Sequence, residues 1–251
     1  MRPSVVSAFK ELSIDKEGYV PWMYLDVKGL VTTGIGNLVE RMGADGQGTG
    51  QPTSALFGMG WTHLDGSPAS QDEIAAAFAT IKSRQDLKDI GGGNRRFAEL
   101  TDLRLSESAI QRLYESTLDN FERALKSRFP SYDGWPADAQ LGLLSMAWAM
   151  GPHFNYPRFQ AAANSDTLPD FRTMANESAI RDNEPRTEAQ KRMFENAAAV
   201  VESGGDPDRV YFPNEFFAGA VKKGGIGLLG MIAGAGALYG GLRFAKWKGW
   251  V

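Results

Sequence analysis

Residues 137 to 150, ADAQLGLLSMAWAM, constrain this chain more than any other stretch: apolar side chains recur on every side of a helical wheel, and Gly151-Pro152 ends the run abruptly. A helix of that kind is unstable on a surface and must be wrapped by others. The flanking sequence supplies candidates. Ile110, Leu113, Leu118, Phe121 and Leu125 mark one face of a helix over about 107 to 128, and residues 170 to 180 allow a short one. Another runs from about 185 to 203, opening with Pro185 in its first turn and stopping at Gly204-Gly205. At the N-terminus, Val5, Val6, Phe9 and Leu12 give an amphipathic helix over 3 to 15, closed by Gly18, rather than the unbroken apolar run of a signal peptide.

Between these helices lies a β-rich segment. WMYLDV and LVTTGIG, joined through Lys28-Gly29, read as a hairpin. Residues 39 to 69 carry many glycines, Pro52 and Pro68 without sustained periodicity, and read as an extended loop or insertion. Ser70-Gln-Asp-Glu73 is a capping box that opens a helix to about Ser83, and GGG at 91 to 93 breaks the chain again. No internal repeat is visible. The fold class expected is therefore α+β, with a small β-hairpin lobe followed by a larger, mostly helical lobe.

The C-terminus differs in kind. From Gly224 to Leu242, 19 consecutive residues are uncharged, with Lys222-Lys223 before them and Arg243, Lys246, Trp247, Lys248 and Trp250 after. That length suits a helix across roughly 30 Å of hydrocarbon, and the flank suits an interfacial anchor. Gly230/Gly234 and Gly236/Gly240 have the spacing of small residues at helix–helix contacts in lipid. A glycine-rich hairpin docked on the body is the alternative. The domains expected are 1–213, containing the 39–69 insertion, and a membrane-inserting tail, 214–251.

Charge follows the same division. Residues 216 to 251 hold five Lys/Arg and no acid, so the other 215 residues carry −8 of the chain's net charge of −3. An acidic body argues against a nucleic-acid partner, and a basic apolar tail points to a membrane surface. With no cysteine, disulfides and thiolate metal sites are excluded. His63 and His153 lie far apart without ligand spacing, so no metal is expected. The G-x-G and GGG runs lack the strand-to-helix setting of a nucleotide loop, and no cofactor is expected.

The hairpin carries more polar residues than a hairpin needs. Glu17 stands at the end of the first helix, Asp26 on the first strand and Thr32 on the second. Inverting cleavage of a glycosidic bond needs an acid to protonate the leaving oxygen and a group opposite to activate water, with a gap of roughly 6.5–9.5 Å between carboxyls. Val20, Trp22 and Met23 are placed to desolvate Glu17 and keep it protonated, whereas Asp26, near the turn, is expected to stay hydrated and ionised.

EGYVPWMYLDVKGLVTTGIGNL resembles the opening of the phage-type lysozymes, glycoside hydrolase family 24, whose pattern is E-x8-D-x5-T followed by G-x-G. Glu17, Asp26, Thr32, Gly34 and Gly36 meet every spacing, and Tyr24 and Gly29 match too. The resemblance continues more loosely through LRLSESAIQRLYESTLDNFERAL, AQLGLLSMAWAMG and PRTEAQKRMF. It implies a lysozyme-like fold and a muramidase acting on bacterial peptidoglycan without a cofactor. In it Glu17 is the general acid, and Asp26 and Thr32 handle the water and the developing positive charge. Leu38 and Trp148 would line the sugar groove, and Arg186 would pair with the acid. Against this, Trp148 also reads as core and Arg186 as a surface charge.

Three features depart from the family. Asn37 replaces a common His, the 39–69 stretch is longer, and the tail has no counterpart in the minimal enzyme. The setting implied is membrane- or virion-associated, on the cell-wall side, after synthesis in the cytoplasm. Lysis enzyme, virion-borne entry enzyme and exported antibacterial effector all remain open, as does a membrane-active or virion structural protein with a non-catalytic body.

Overall fold

The computed structural model describes residues 1–17, 19–165, 168–181 and 183–216, without the side chains of residues 14 to 17. The elements in chain order are α1 (Pro3–Glu17), β1 (Val20–Leu25), β2 (Val31–Gly34), β3 (Asn37–Leu38), β4 (Glu40–Met42), β5 (Gly48–Pro52), α2 (Gln71–Ser83), α3 (Arg95–Ala98), α4 (Glu107–Arg128), α5 (Ala137–Met150), α6 (Pro157–Ala163), α7 (Phe171–Asn176) and α8 (Glu184–Ser203). This is a mixed helix and antiparallel-sheet chain, in agreement with the α+β class expected. The tail span over 224–242, with Gly230, Gly234, Gly236 and Gly240, lies outside the described residues, as does the Gly18 helix stop. Among the described residues no helix is long and apolar enough to cross a membrane.

The chain divides into two compact units, Glu11–Asn120 and Met1–Lys10 with the described residues from Phe121 onward. In the second, α5 is the central element. Residues 137 to 147 are buried without interruption, as the sequence demands, and α5 packs on α8, which packs on α7. Phe129, Phe159 and Phe194 are fully buried in this core. Each stabilises it by about 1.5–3 kcal/mol relative to exposure. Gly142 permits the α5–α8 approach, since a Cβ there would sit 3.0 Å from the Phe194 ring and 3.3 Å from Met193 Cβ. Asp138, on the first turn of α5, is also buried; it accepts bonds from Tyr211 N at 2.7 Å, Phe212 N at 2.8 Å and Asn196 Nδ2 at 3.1 Å. Asn196 in turn bonds Asn214 O and Phe216 N, so two side chains fasten residues 211 to 216 to α5 and α8.

In the Glu11–Asn120 unit, β1, β2 and β3 form a sheet in that order, with Tyr24 opposite Thr32, Leu25 opposite Val31 and Thr32 opposite Leu38. The register is irregular between Val20 and Tyr24. Pro21, which has no N–H to donate, stands in that interval on an edge strand, where such a residue is tolerated. Helix α2 packs on β1, β2 and β5 through buried Ile74, Ala77, Phe78 and Ile81, and the predicted Ser70/Glu73 capping box is formed.

Residues 39 to 69 correct the loop expectation. β4 and β5 pair antiparallel, Glu40 opposite Pro52 and Met42 opposite Gly48, and a 3-10 turn follows at Ser54–Gly58. Buried Trp61 donates its indole N–H to Leu56 O at 3.1 Å, and Thr62 exchanges backbone bonds with Arg104. Glycine-rich strands carry no alternating apolar signal, so their pairing is invisible in the sequence. The helix expected over 170 to 180 is shorter, ending at Asn176.

Candidate active site

Asp26, expected on the first strand, is instead the first residue of the turn after it. Its backbone N–H reaches Leu30 O at 2.9 Å, while its Oδ1 accepts the N–H groups of Lys28 and Leu30, both at 2.9 Å. The side chain thus builds the turn around itself, a habit of Asp in tight loops. Gly29, at the tip, has φ 74°, a left-handed conformation that glycine adopts without strain. Among the described residues, no hydrogen bond reaches Oδ2.

The hydrated setting expected for Asp26 is also corrected. The residue is half-buried, and burial raises its carboxyl above the ordinary 3.8, with nearby Glu40 pushing the same way; the Leu30 and Lys28 N–H groups and the Lys28 charge pull partly back. A short turn folded onto β4 and α2 keeps water from one side of the group.

Thr32 is buried, opposite Tyr24 on one side and Leu38 on the other. Side chains alternate along strands, so Tyr24, Thr32 and Leu38 share one sheet face, and Asp26 opens the turn that joins β1 to β2. Thr32 donates to Leu30 O at 3.3 Å, which leaves its oxygen lone pairs as acceptors. Thr33 faces the other way and donates to Trp22 O at 3.0 Å. Of the two adjacent threonines, alternation puts Thr33 against the β1 backbone and Thr32 on the face of Tyr24 and Leu38. Leu38 is 42% exposed on the same face, as a groove-lining residue would be.

Glu17 is the last residue of α1, three positions before β1, and its side chain lies outside the described ones. Trp148 and Arg186 belong to the other unit. Trp148 is half-buried, in T-shaped contact with Phe9 and Phe121 at ring-centre distances of 5.2 and 5.6 Å. Arg186 is only 5% exposed, which rules out its reading as a surface charge; its backbone N–H is capped by Asn183 Oδ1. Asn37 accepts from Ile35 N and donates to Thr117 Oγ1 at 3.0 Å, a neutral link from the sheet to α4.

The sequence reading missed two groupings. Glu40 is buried against Lys82, 42 positions away, with Nζ to Oε1 at 2.8 Å. No local pattern announces a partner at that separation. His63 sits between Asp102, with Nδ1 to Oδ2 at 2.7 Å, and Glu73, with Nε2 to Oε1 at 3.5 Å, so hydrogen bonding to Asp102 raises its pKa. Among the described residues no group of His, Asp and Glu could hold a metal ion. No family model, curated protein or solved structure compared with this chain matches it.

Proposed function

We propose that this chain is a muramidase, hydrolysing the β-1,4 bond between N-acetylmuramic acid and N-acetylglucosamine of peptidoglycan in a lysozyme-like fold. The observation that carries the reading is the pairing of Thr32 with Leu38 on one sheet face, on the strand that follows the turn opened by Asp26, after a helix that ends at Glu17. Glu17 protonates the departing oxygen. A water held by Asp26 and Thr32 attacks the sugar from the opposite side.

The chemistry of the two water-holding groups suits that task. Asp26 Oδ2 takes one hydrogen of the water and Thr32 Oγ1 accepts the other, which aims an oxygen lone pair at the anomeric carbon. A half-buried carboxylate whose pKa is raised is a stronger base than a hydrated one, so the burial of Asp26 favours water activation. The proton on Glu17 goes to the leaving sugar, the proton of the water goes to Asp26, and inversion follows from attack on the opposite face. Residues 224–242, on sequence grounds, would add a membrane contact on the wall side.

The test is turbidity clearing of purified peptidoglycan by the full chain beside Glu17→Gln and Asp26→Asn. Loss of the acid should lower the rate by about 100-fold or more. Equal clearing by wild type and Glu17→Gln would leave only a binding role for this site.

A further inference from the structure

The turn that carries Asp26 is held from outside by an ion pair whose acid is buried and whose lysine is partly exposed. Glu40, on β4, has no exposed side-chain surface. Its Oε1 accepts from Gly50 N at 2.8 Å and Lys82 Nζ at 2.8 Å, and its Oε2 from Val31 N at 3.0 Å and Lys82 Nζ at 2.9 Å. Lys82, on the last turn of α2, also donates to Gly29 O at 2.8 Å, where Gln85 Nε2 adds a bond at 3.2 Å. Gly29 O and Val31 N bracket Leu30, whose own N–H is bonded to Asp26 Oδ1.

Burying the Glu40 charge is costly even with Lys82 beside it. The chain nevertheless makes room for it: a Cβ on Gly48 would run into Glu40 Oε1 and the Leu30 side chain. We propose that Glu40 and Lys82 are a positioning pair for Asp26, fixing the place of its turn and the charge around its carboxyl. This role rests on the glycosidase reading of the hairpin.

Two charged groups act on Asp26 from the elements around it, Lys28 in the turn itself and Glu40 from β4, while Lys82 of α2 reaches the same turn at Gly29 O. Glu40 opposes ionisation of Asp26 and Lys28 favours it. Burial alone would raise Glu40, but the Lys82 ammonium and the N–H groups of Val31 and Gly50 outweigh it and hold Glu40 below its ordinary value. Lys82 and the two N–H groups thus favour the ionised form of Glu40, and the charge of Glu40 in turn opposes ionisation of Asp26.

The experiment is an NMR titration of the Asp26 carboxyl in the full-length chain, in Glu40→Gln and in Glu40→Gln/Lys82→Met, with peptidoglycan turnover measured alongside. Removing both charges should lower the Asp26 titration below wild type. Glu40→Gln alone should lower it further, because Lys82 is left as an unmatched cation beside the turn. A turn that had merely loosened would hydrate Asp26 equally in both variants and move both by the same amount. That equality, or an Asp26 titration unchanged in the double variant, would overturn the proposal. Should the single variant not fold, the double variant against wild type decides, with protection of the Leu30 amide showing that the turn is intact. In turnover, the expected loss for Glu40→Gln is about 10- to 100-fold, in kcat rather than KM, as for slight misplacement of a reacting group. The titration needs no substrate, so an inactive wild type would refute the glycosidase reading while still testing the pair.

Discussion

Asp138→Asn probes how the chain entering the C-terminal segment is fastened. In wild type, Oδ1 holds Phe212 N and Asn196 Nδ2, and Oδ2 holds Tyr211 N at 2.7 Å. The amide of asparagine can place its oxygen at only one of these positions. With oxygen kept at Oδ1, the new NH2 confronts the Tyr211 N–H, donor against donor. One bond to a charged acceptor, about 1.5–3 kcal/mol, is lost, and the other two weaken as their acceptor loses its charge. Against this, the buried charge disappears, and burial already raises the Asp138 pKa. Tyr211 is half-buried, so its freed N–H reaches water only if residues 211 to 216 shift. The balance is a net loss of about 2 kcal/mol, or roughly 4–8 °C in Tm for a chain of this size. Circular dichroism melting gives the Tm, and hydrogen exchange at Tyr211, Phe212 and Phe216 locates the change. An unaltered Tm together with unaltered exchange at Tyr211 would show that Asp138 does not fasten this segment.

Further outcomes follow from the same structure. Ser70→Ala removes the cap of α2 and should cost about 1 kcal/mol in urea unfolding, with a Thr replacement restoring most of it; no loss would mean that packing alone holds the helix start. Gly142→Ala should gain about 1 kcal/mol of helix propensity yet lose about 1–3 kcal/mol to crowding. Phe194 is fully buried, with the Phe159 ring 5.3 Å away, and cannot retreat, so a lowered Tm is expected and a raised one would contradict the α5–α8 contact. Asp26 has a folded pKa raised above 3.8, so its contribution to stability is complete below 3.8 and is lost as pH rises through the raised value. The stability of Asp26→Asn relative to wild type should therefore climb with pH across that window, and a constant difference would contradict the burial argument.

What the sequence disclosed is what local chemistry signals. The ends of α2, α5 and α8 were legible because a capping box, a Gly-Pro pair and a Pro-to-Gly span act within a few residues of the backbone they terminate. Of the candidate residues, the positions of Glu17 at the end of α1 and Thr32 on β2 were legible in the sequence, whereas Asp26 was expected on the strand and opens the turn instead. The electrostatics of the site were not legible. Asp26 enters the turn instead of extending the strand because its own carboxylate captures two N–H groups, and its burial depends on β4 and α2, which come later in the chain. Glu40 and Lys82 meet only after α2 has packed on the sheet, and β4 and β5 pair through backbone groups that glycine-rich sequence does not reveal.

The most direct trial of the muramidase reading is to digest purified peptidoglycan with the full-length protein and follow the anomeric protons of the products by NMR. New reducing ends on N-acetylmuramic acid, first in the α configuration and absent with Glu17→Gln, are the predicted result. Wild-type protein that releases no reducing ends, or releases them equally when Glu17 is replaced, would contradict it.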